Sequence, residues 1–204
     1  MKKLLLLCVV VLLFGCISKK AQNQSNDDLK TECEQALQNA FNSTSKKRNI
    51  LLGFKFGMTQ DEVASHFSEL KQAGKIYTTP NYGPTYNMAT EHGEIVCSFG
   101  TEFYQDSLIG MYLYLQKNRN VEPALDLPGI RKLGAMELFH KRKDLDWYIT
   151  ENDDYYFIQE NIVIGITESP EAVVYYFDAP SKKRKVEKEK ESKARAIQKS
   201  AADL

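Results

Sequence analysis

The stretch Ser107-Leu108-Ile109-Gly110-Met111-Tyr112-Leu113-Tyr114-Leu115-Gln116 decides the fold. Ile109, Met111, Leu113 and Leu115 recur at every second position, and Tyr112 and Tyr114 occupy positions between them. A period of two belongs to a β-strand with one face in a core. Just upstream, Gln105-Asp106-Ser107 is a turn that pairs this strand with residues 94–104 as a hairpin. Residues 85–90 read as a further strand. Downstream, residues 155–159, 162–167 and 172–178 are short runs rich in β-branched and aromatic residues, with 147–150 as a fourth. Turns at Asn152-Asp153-Asp154, Glu160-Asn161 and Ser169-Pro170 separate them. Such short connections suit antiparallel pairing, since a parallel pair needs a long crossover.

Helices precede each set of strands. Leu29, Cys33, Ala36, Leu37, Ala40 and Phe41 follow helical spacing. In Thr59-Gln60-Asp61-Glu62, Thr59 can cap a helix while Glu62 reaches back to its amide, forming a capping box. Val63, Phe67 and Leu70 continue as a buried stripe, and Gly74 can end the helix. A third helix is expected from about residue 131 to 143. The order helix, strands, helix, strands predicts an α+β fold, an antiparallel sheet with packed helices. It also suggests two helix-plus-strands repeats.

The run Gly53-Phe54-Lys55-Phe56-Gly57-Met58-Thr59-Gln60-Asp61-Glu62-Val63 resembles the opening of many small exported lipoproteins. It is similar, over about 20 residues, to the start of the outer-membrane assembly lipoprotein BamE and of β-lactamase-inhibitor-protein-like folds. That resemblance implies a small envelope domain and no particular activity.

The first residues agree with export. Met1-Lys2-Lys3 is followed by 12 apolar residues from Leu4 to Gly15, too few for the roughly 20 that span a bilayer. Polar sequence begins at Ser18, the pattern of a signal peptide. Leu13-Phe14-Gly15-Cys16 resembles the lipobox of bacterial lipoproteins, although Phe14 is larger than is usual there. The resemblance implies removal of residues 1–15 and lipidation of Cys16 with palmitate-class acyl chains. Two or more chains give stable anchoring where one is marginal. Ile17, rather than Asp, follows the cysteine, so the outer membrane is the expected destination in a cell with two membranes. The expected organisation is a tether over 16–26, an α+β domain over 27–180 and a charged, helical tail over 181–204.

The chain has 204 residues, 43% apolar, with 27 basic against 27 acidic side chains. This excludes a mainly disordered chain and a globally basic nucleic-acid binder. The neutrality is a cancellation. The tail 181–204 holds nine basic and four acidic residues, a net of +5, and Lys2 and Lys3 belong to the leader. Residues 16–180 are left with 16 bases against 23 acids, a net of −7. The tail run Lys182-Lys183-Arg184-Lys185 reads as a solvated helix or as an electrostatic contact for anionic lipid, polysaccharide or protein.

Residues with chemical capacity are dispersed. His66, His92 and His140 lack metal-ligand spacing, and Walker, HExxH and serine-elbow motifs are absent. Asp144, Asp146, Glu151, Asp153 and Asp154 are the densest acidic group, without the spacing of a calcium loop. No metal or cofactor is expected. Removing Cys8 with the leader and lipidating Cys16 leaves Cys33 and Cys97, which either form a disulfide or stay as two buried thiols. The excess of tyrosine, 11 in all, points to a surface. Tyr112, Tyr114, Tyr155 and Tyr175 form a candidate aromatic binding platform for a glycan or an envelope protein, unless they pack between strands and helices. A non-enzymatic binding or assembly-accessory domain is the expected class. A hydrolase with a dispersed site and an inhibitor or immunity-type protein are the alternatives.

Overall fold

The computed structural model describes residues 26–90, 93–116, 127–150, 154–168 and 172–202. The leader, Cys16 and most of the tether lie outside them, as do His92, Glu151 and Asp153. Helix α1 is Asn26–Phe41 and α2 is Gln60–Gln72. Four strands follow: β1 Tyr77–Thr79, β2 Gly83–Thr90, β3 Gly93–Tyr104 and β4 Ser107–Gln116. Helix α3, Leu127–Lys141, opens a second set: β5 Asp146–Ile149, β6 Tyr155–Gln159, β7 Ile162–Glu168 and β8 Ala172–Asp178. Helix α4, Ala179–Ala202, closes the chain.

All eight strands form one antiparallel sheet in the order β1-β2-β3-β4-β8-β7-β6-β5. The expected α+β class holds. A helix followed by a four-stranded meander occurs twice, and the two meanders abut through their last strands, β4 and β8. None of the described helices is long and apolar enough to cross a membrane.

The sheet has two unlike faces. On the first, Leu113, Leu115, Val174, Tyr176, Ile164 and Phe157 meet Val63 and Leu70 of α2 and Ile130, Leu133 and Leu138 of α3 in one large apolar cluster. On the second, a smaller cluster joins Ala36, Leu37, Ala40 and Phe41 of α1 to Tyr148, Tyr156, Ile158, Val163 and Phe177. Helix α1 touches β5, β6 and β7, and α4 touches α1, β4 and β8. Within β1–β3 on this face, α4 reaches the Glu102–Tyr104 end of β3 through Lys182, Lys185 and Lys188.

Local chemistry explains the key boundaries. Thr59 and Glu62 form both bonds of the capping box, at 3.2 and 2.8 Å. The loop before α2 is tied to the sheet, because Gly57 N–H donates to Leu108 O and Leu108 N–H to Met58 O. Gly53 has φ +87°, and a Cβ there would lie 3.2 Å from His66 Nε2, so glycine is needed for both the turn and the close approach.

Three expectations need correction. Helix α3 begins earlier than residue 131 and ends before 143, because Pro128 is tolerated in the first turn of a helix. The β3–β4 turn is the two residues Gln105 and Asp106, with φ 51° and 57°, the left-handed pair that matches strand twist. A register shift at Glu102/Phe103 pairs Glu102 with Gly110 and Phe103 with Leu108. The extra residue of this bulge is Ile109, which is buried yet outside the main cluster, and Leu108 takes the core position instead.

Candidate functional site

The second face reads as aligned rows. Across one row run Tyr148, Tyr156, Gly165, Tyr175, Tyr112 and Gly100. The parallel row through Tyr77, Thr85, Ser98, Tyr114 and Val173 lies toward the β1 edge. The glycines are holes that the rings fill. A Cβ on Gly165 would stand 2.2 Å from Tyr175 Cζ, and one on Gly100 would stand 3.1 Å from Tyr114 Cε2.

Of the four candidate tyrosines, three share this face. Tyr112 and Tyr114 stack with centroids 6.4 Å apart, and Tyr175 stacks on Phe177 at 5.7 Å. Tyr155 points the other way and packs against the main core, since it pairs with Ile166 in the Val174–Leu113 row. Its neighbour Tyr156 replaces it, edge-on to Tyr175. Adjacent residues of a strand face opposite sides, and sequence does not reveal which member of Tyr155-Tyr156 is outside.

The row is graded in exposure. Tyr175 is half-buried at the α1-covered end, and burial together with the Tyr156 hydrogen bond pushes its phenol pKa up. Tyr114 is 36% exposed and Tyr77 is 40% exposed. Three of the five exposed large hydrophobic side chains among the described residues, Tyr77, Tyr82 and Tyr114, belong to the β1–β4 half. Around them stand amides and hydroxyls. Tyr77 Oη donates to Asn87 Oδ1 at 2.7 Å, and Gln116 Nε2 to Ser98 Oγ at 3.3 Å.

At the boundary between the covered and open parts sits a polar hub absent from the sequence reading. Glu102 accepts hydrogen bonds from Tyr112 Oη, from Lys182 Nζ at 2.6 and 2.8 Å and from Lys185 Nζ at 2.7 Å. Its side chain is only 12% exposed. Burial works to raise its pKa, but the bonds from Lys182, Lys185 and Tyr112 outweigh it and hold the carboxyl at about 2. The Tyr112 phenol is pushed up in return, by burial and then by Glu102. The basic tail is thus partly internal at its start: helical spacing puts Lys182 and Lys185 on one side, against the sheet. Residues 186–198 are exposed, including Ile197 at 68%, so the outer part is a solvated helix.

The cysteines resolve to two buried free thiols, with no bridge. Cys97 belongs to the main core cluster and Cys33 to α1 on the opposite face. Burial pushes the Cys97 thiol up to about 12, which keeps it protonated and inert. Burial, then the charge of Glu34, raises the Cys33 thiol. His66 is engaged, with Nε2 2.9 Å from Leu52 O and Nδ1 3.2 Å from Glu69 Oε2. Asp144 pairs with Arg142 at 3.1 Å and Asp154 with Arg131 at 3.7 Å. Among the described residues, no three His, Cys, Asp or Glu side chains are placed to hold a metal ion. No family model, curated protein or solved structure matches the chain.

Proposed function

We propose that the protein is a non-enzymatic binding protein, held at the cell envelope by a lipid on Cys16, that takes a glycan on the open half of its sheet. The observation that carries this reading is the uneven cover of the second face. Helix α1 shields β5–β7 and α4 lies against β4 and β8, while Tyr114 and Tyr77 stay exposed on the β1–β4 side. The two tyrosines are separated by Thr85 and Ser98 in register. Three strand spacings put them about 14 Å apart, a shelf suited to a short oligosaccharide. Flat rings offer apolar surface to sugar rings, and the exposed Asn87 and half-buried Gln116 offer donors and acceptors to hydroxyls. The ten peptide steps from Cys16 to Asn26 would let the domain reach roughly 35 Å from the membrane.

The anchor is tested by labelling with radioactive palmitate. Label is expected on the chain and lost in Cys16→Ala, and label persisting in that variant would refute the site. The binding role is tested by calorimetric titration of the full chain, in detergent micelles, with soluble peptidoglycan oligosaccharides. Saturable binding weakened at least tenfold by Tyr114→Ala is expected. Absence of saturable binding, or binding indifferent to Tyr114, would overturn the glycan reading.

A further inference from the structure

The basic residues of the tail that do not reach Glu102 face a different part of the molecule. Lys183 donates to Asn42 Oδ1 at 2.8 Å, and Arg184 lines a cleft of about 530 Å³. The loop 43–48, which carries the trio Lys46-Lys47-Arg48, lines the same cleft. The hairpin residues Tyr104 and Gln105 also line it, and Phe56, Leu108 and Ile109 supply an apolar lining. The bulge that removes Ile109 from the main cluster is what delivers it here.

The loop is built into place. Asn161, 1% exposed, donates from Nδ2 to Lys47 O and to Asp178 Oδ1, both at 2.7 Å, and accepts from Lys47 N at 3.0 Å. Arg48 O accepts from Phe56 N at 2.8 Å. The backbone of both residues is therefore fixed from the sheet side, so their side chains project from a rigid base. A buried amide satisfied at three points is a strong constraint on local conformation.

The charge in the cleft is only partly compensated. Lys47 pairs with Glu160 at 3.1 Å. Among the described residues, Lys46 and Arg48 form no ion pair, and Arg184 makes its hydrogen bond to Ser181 Oγ at 2.7 Å. The one carboxylate in the lining, Asp178, offsets one of its four cations, and its oxygens accept from Asn161 and from the Ser181 amide at 3.2 Å. Three cations without a carboxylate partner converge on one cleft, in a body whose residues 16–180 carry a net charge of −7. Gathering like charges costs energy unless an anion occupies the space between them.

We propose that this cleft is a binding site for a phosphate ester. Two guanidinium groups from separate segments that line the cleft, Arg48 and Arg184, suit the forked recognition of phosphate oxygens, and Lys46 adds a point charge. The hydroxyls of Ser43, Thr44 and Ser45 accompany them on the loop. The volume lies within the range of small-molecule sites, so the site holds the organic part as well as the phosphate. The phosphate can be that of a free sugar phosphate or of a lipid headgroup, and the chemistry recognised is the same. This site is separate from the tyrosine face, and neither proposal depends on the other.

Calorimetric titration of the full chain in micelles with glucose 6-phosphate, against glucose at equal ionic strength, tests the site. Saturable binding of the phosphate ester alone is expected, weakened at least tenfold in Arg48→Gln/Arg184→Gln. Both arginines are exposed, so the thermal midpoint of that variant should match the parent. The control Lys193→Gln/Arg195→Gln removes the same charge from the exposed part of α4 and should leave affinity unchanged. Monomeric dihexanoylphosphatidic acid gives the second arm. Tighter binding than glucose 6-phosphate assigns a lipid headgroup, and equal or weaker binding assigns a soluble ester. Lack of saturation by both probes, or equal losses in the two double variants, would overturn the proposal.

Discussion

The two faces of the sheet are built from the same eight strands by different means. The first face is a continuous apolar layer under α2 and α3, where position in a period-two or period-3.6 pattern is enough to specify burial. The second is assembled by exceptions. Rings lie over glycines, a carboxylate is buried against two lysines from the end of the chain, and one half is left open. Stability is concentrated where the pattern is regular, and the proposed binding surface lies where it is interrupted.

This contrast can be broken by substitution. The largest loss is expected on the first face. Leu113→Ala removes a side chain that is 1% exposed in the main cluster and should cost about 3 kcal/mol in urea unfolding. A loss below about 1 kcal/mol would mean that this face does not carry the fold.

Glu102 should come next, and its effect depends on pH. Its folded pKa, about 2, lies below the ordinary 4.5, so its contribution is complete above the ordinary value and fades as pH falls from 4.5 towards 2. The shift corresponds to roughly 3 kcal/mol. Glu102→Gln should therefore lower stability near neutrality by about 2 kcal/mol and flatten the acid limb of the stability profile. A variant with the same acid dependence as the parent would show that Lys182 and Lys185 do not hold the carboxylate in solution.

Gly165→Ala sets a Cβ against the Tyr175 ring and should cost about 1–2 kcal/mol. Adding Tyr175→Leu should recover much of that, and a double-mutant cycle reads the coupling. Additive losses would mean that the ring is not seated over Gly165. Tyr114→Ala should be the mildest, costing about 1 kcal/mol for the lost stack on Tyr112, while weakening glycan affinity at least tenfold. That dissociation of stability from binding is what separates the open half of the sheet from the covered half.

The same contrast explains what the sequence disclosed. The capping box at Thr59 and Glu62, the alternation of Met111, Leu113 and Leu115, and the antiparallel order are short-range signals, and the structure keeps them. Ile109 fits that alternation on paper, but a bulge, which depends on the partner strand, moves it to the cleft. Tyr155 and Tyr156 are equivalent in sequence, and only the β6–β7 register separates them. Glu102 and Lys182 lie 80 positions apart, and Lys47 and Asn161 lie 114 apart. Local pattern reading cannot join such pairs. A usable hint was present in Lys182 and Lys185, three apart on a helix and able to converge on one acid. Gly100 and Gly165, within strands, were a second hint that neighbouring rings need room.

The central claim is that the open half of the second face is where a ligand binds. Amide hydrogen exchange of the full chain, with and without a saturating peptidoglycan oligosaccharide, tests it most directly. Added protection confined to β2, β3 and β4 around Asn87, Ser98 and Tyr114 is the predicted result. Protection centred on β5–β7 beneath α1, or no change anywhere in the sheet, would contradict it.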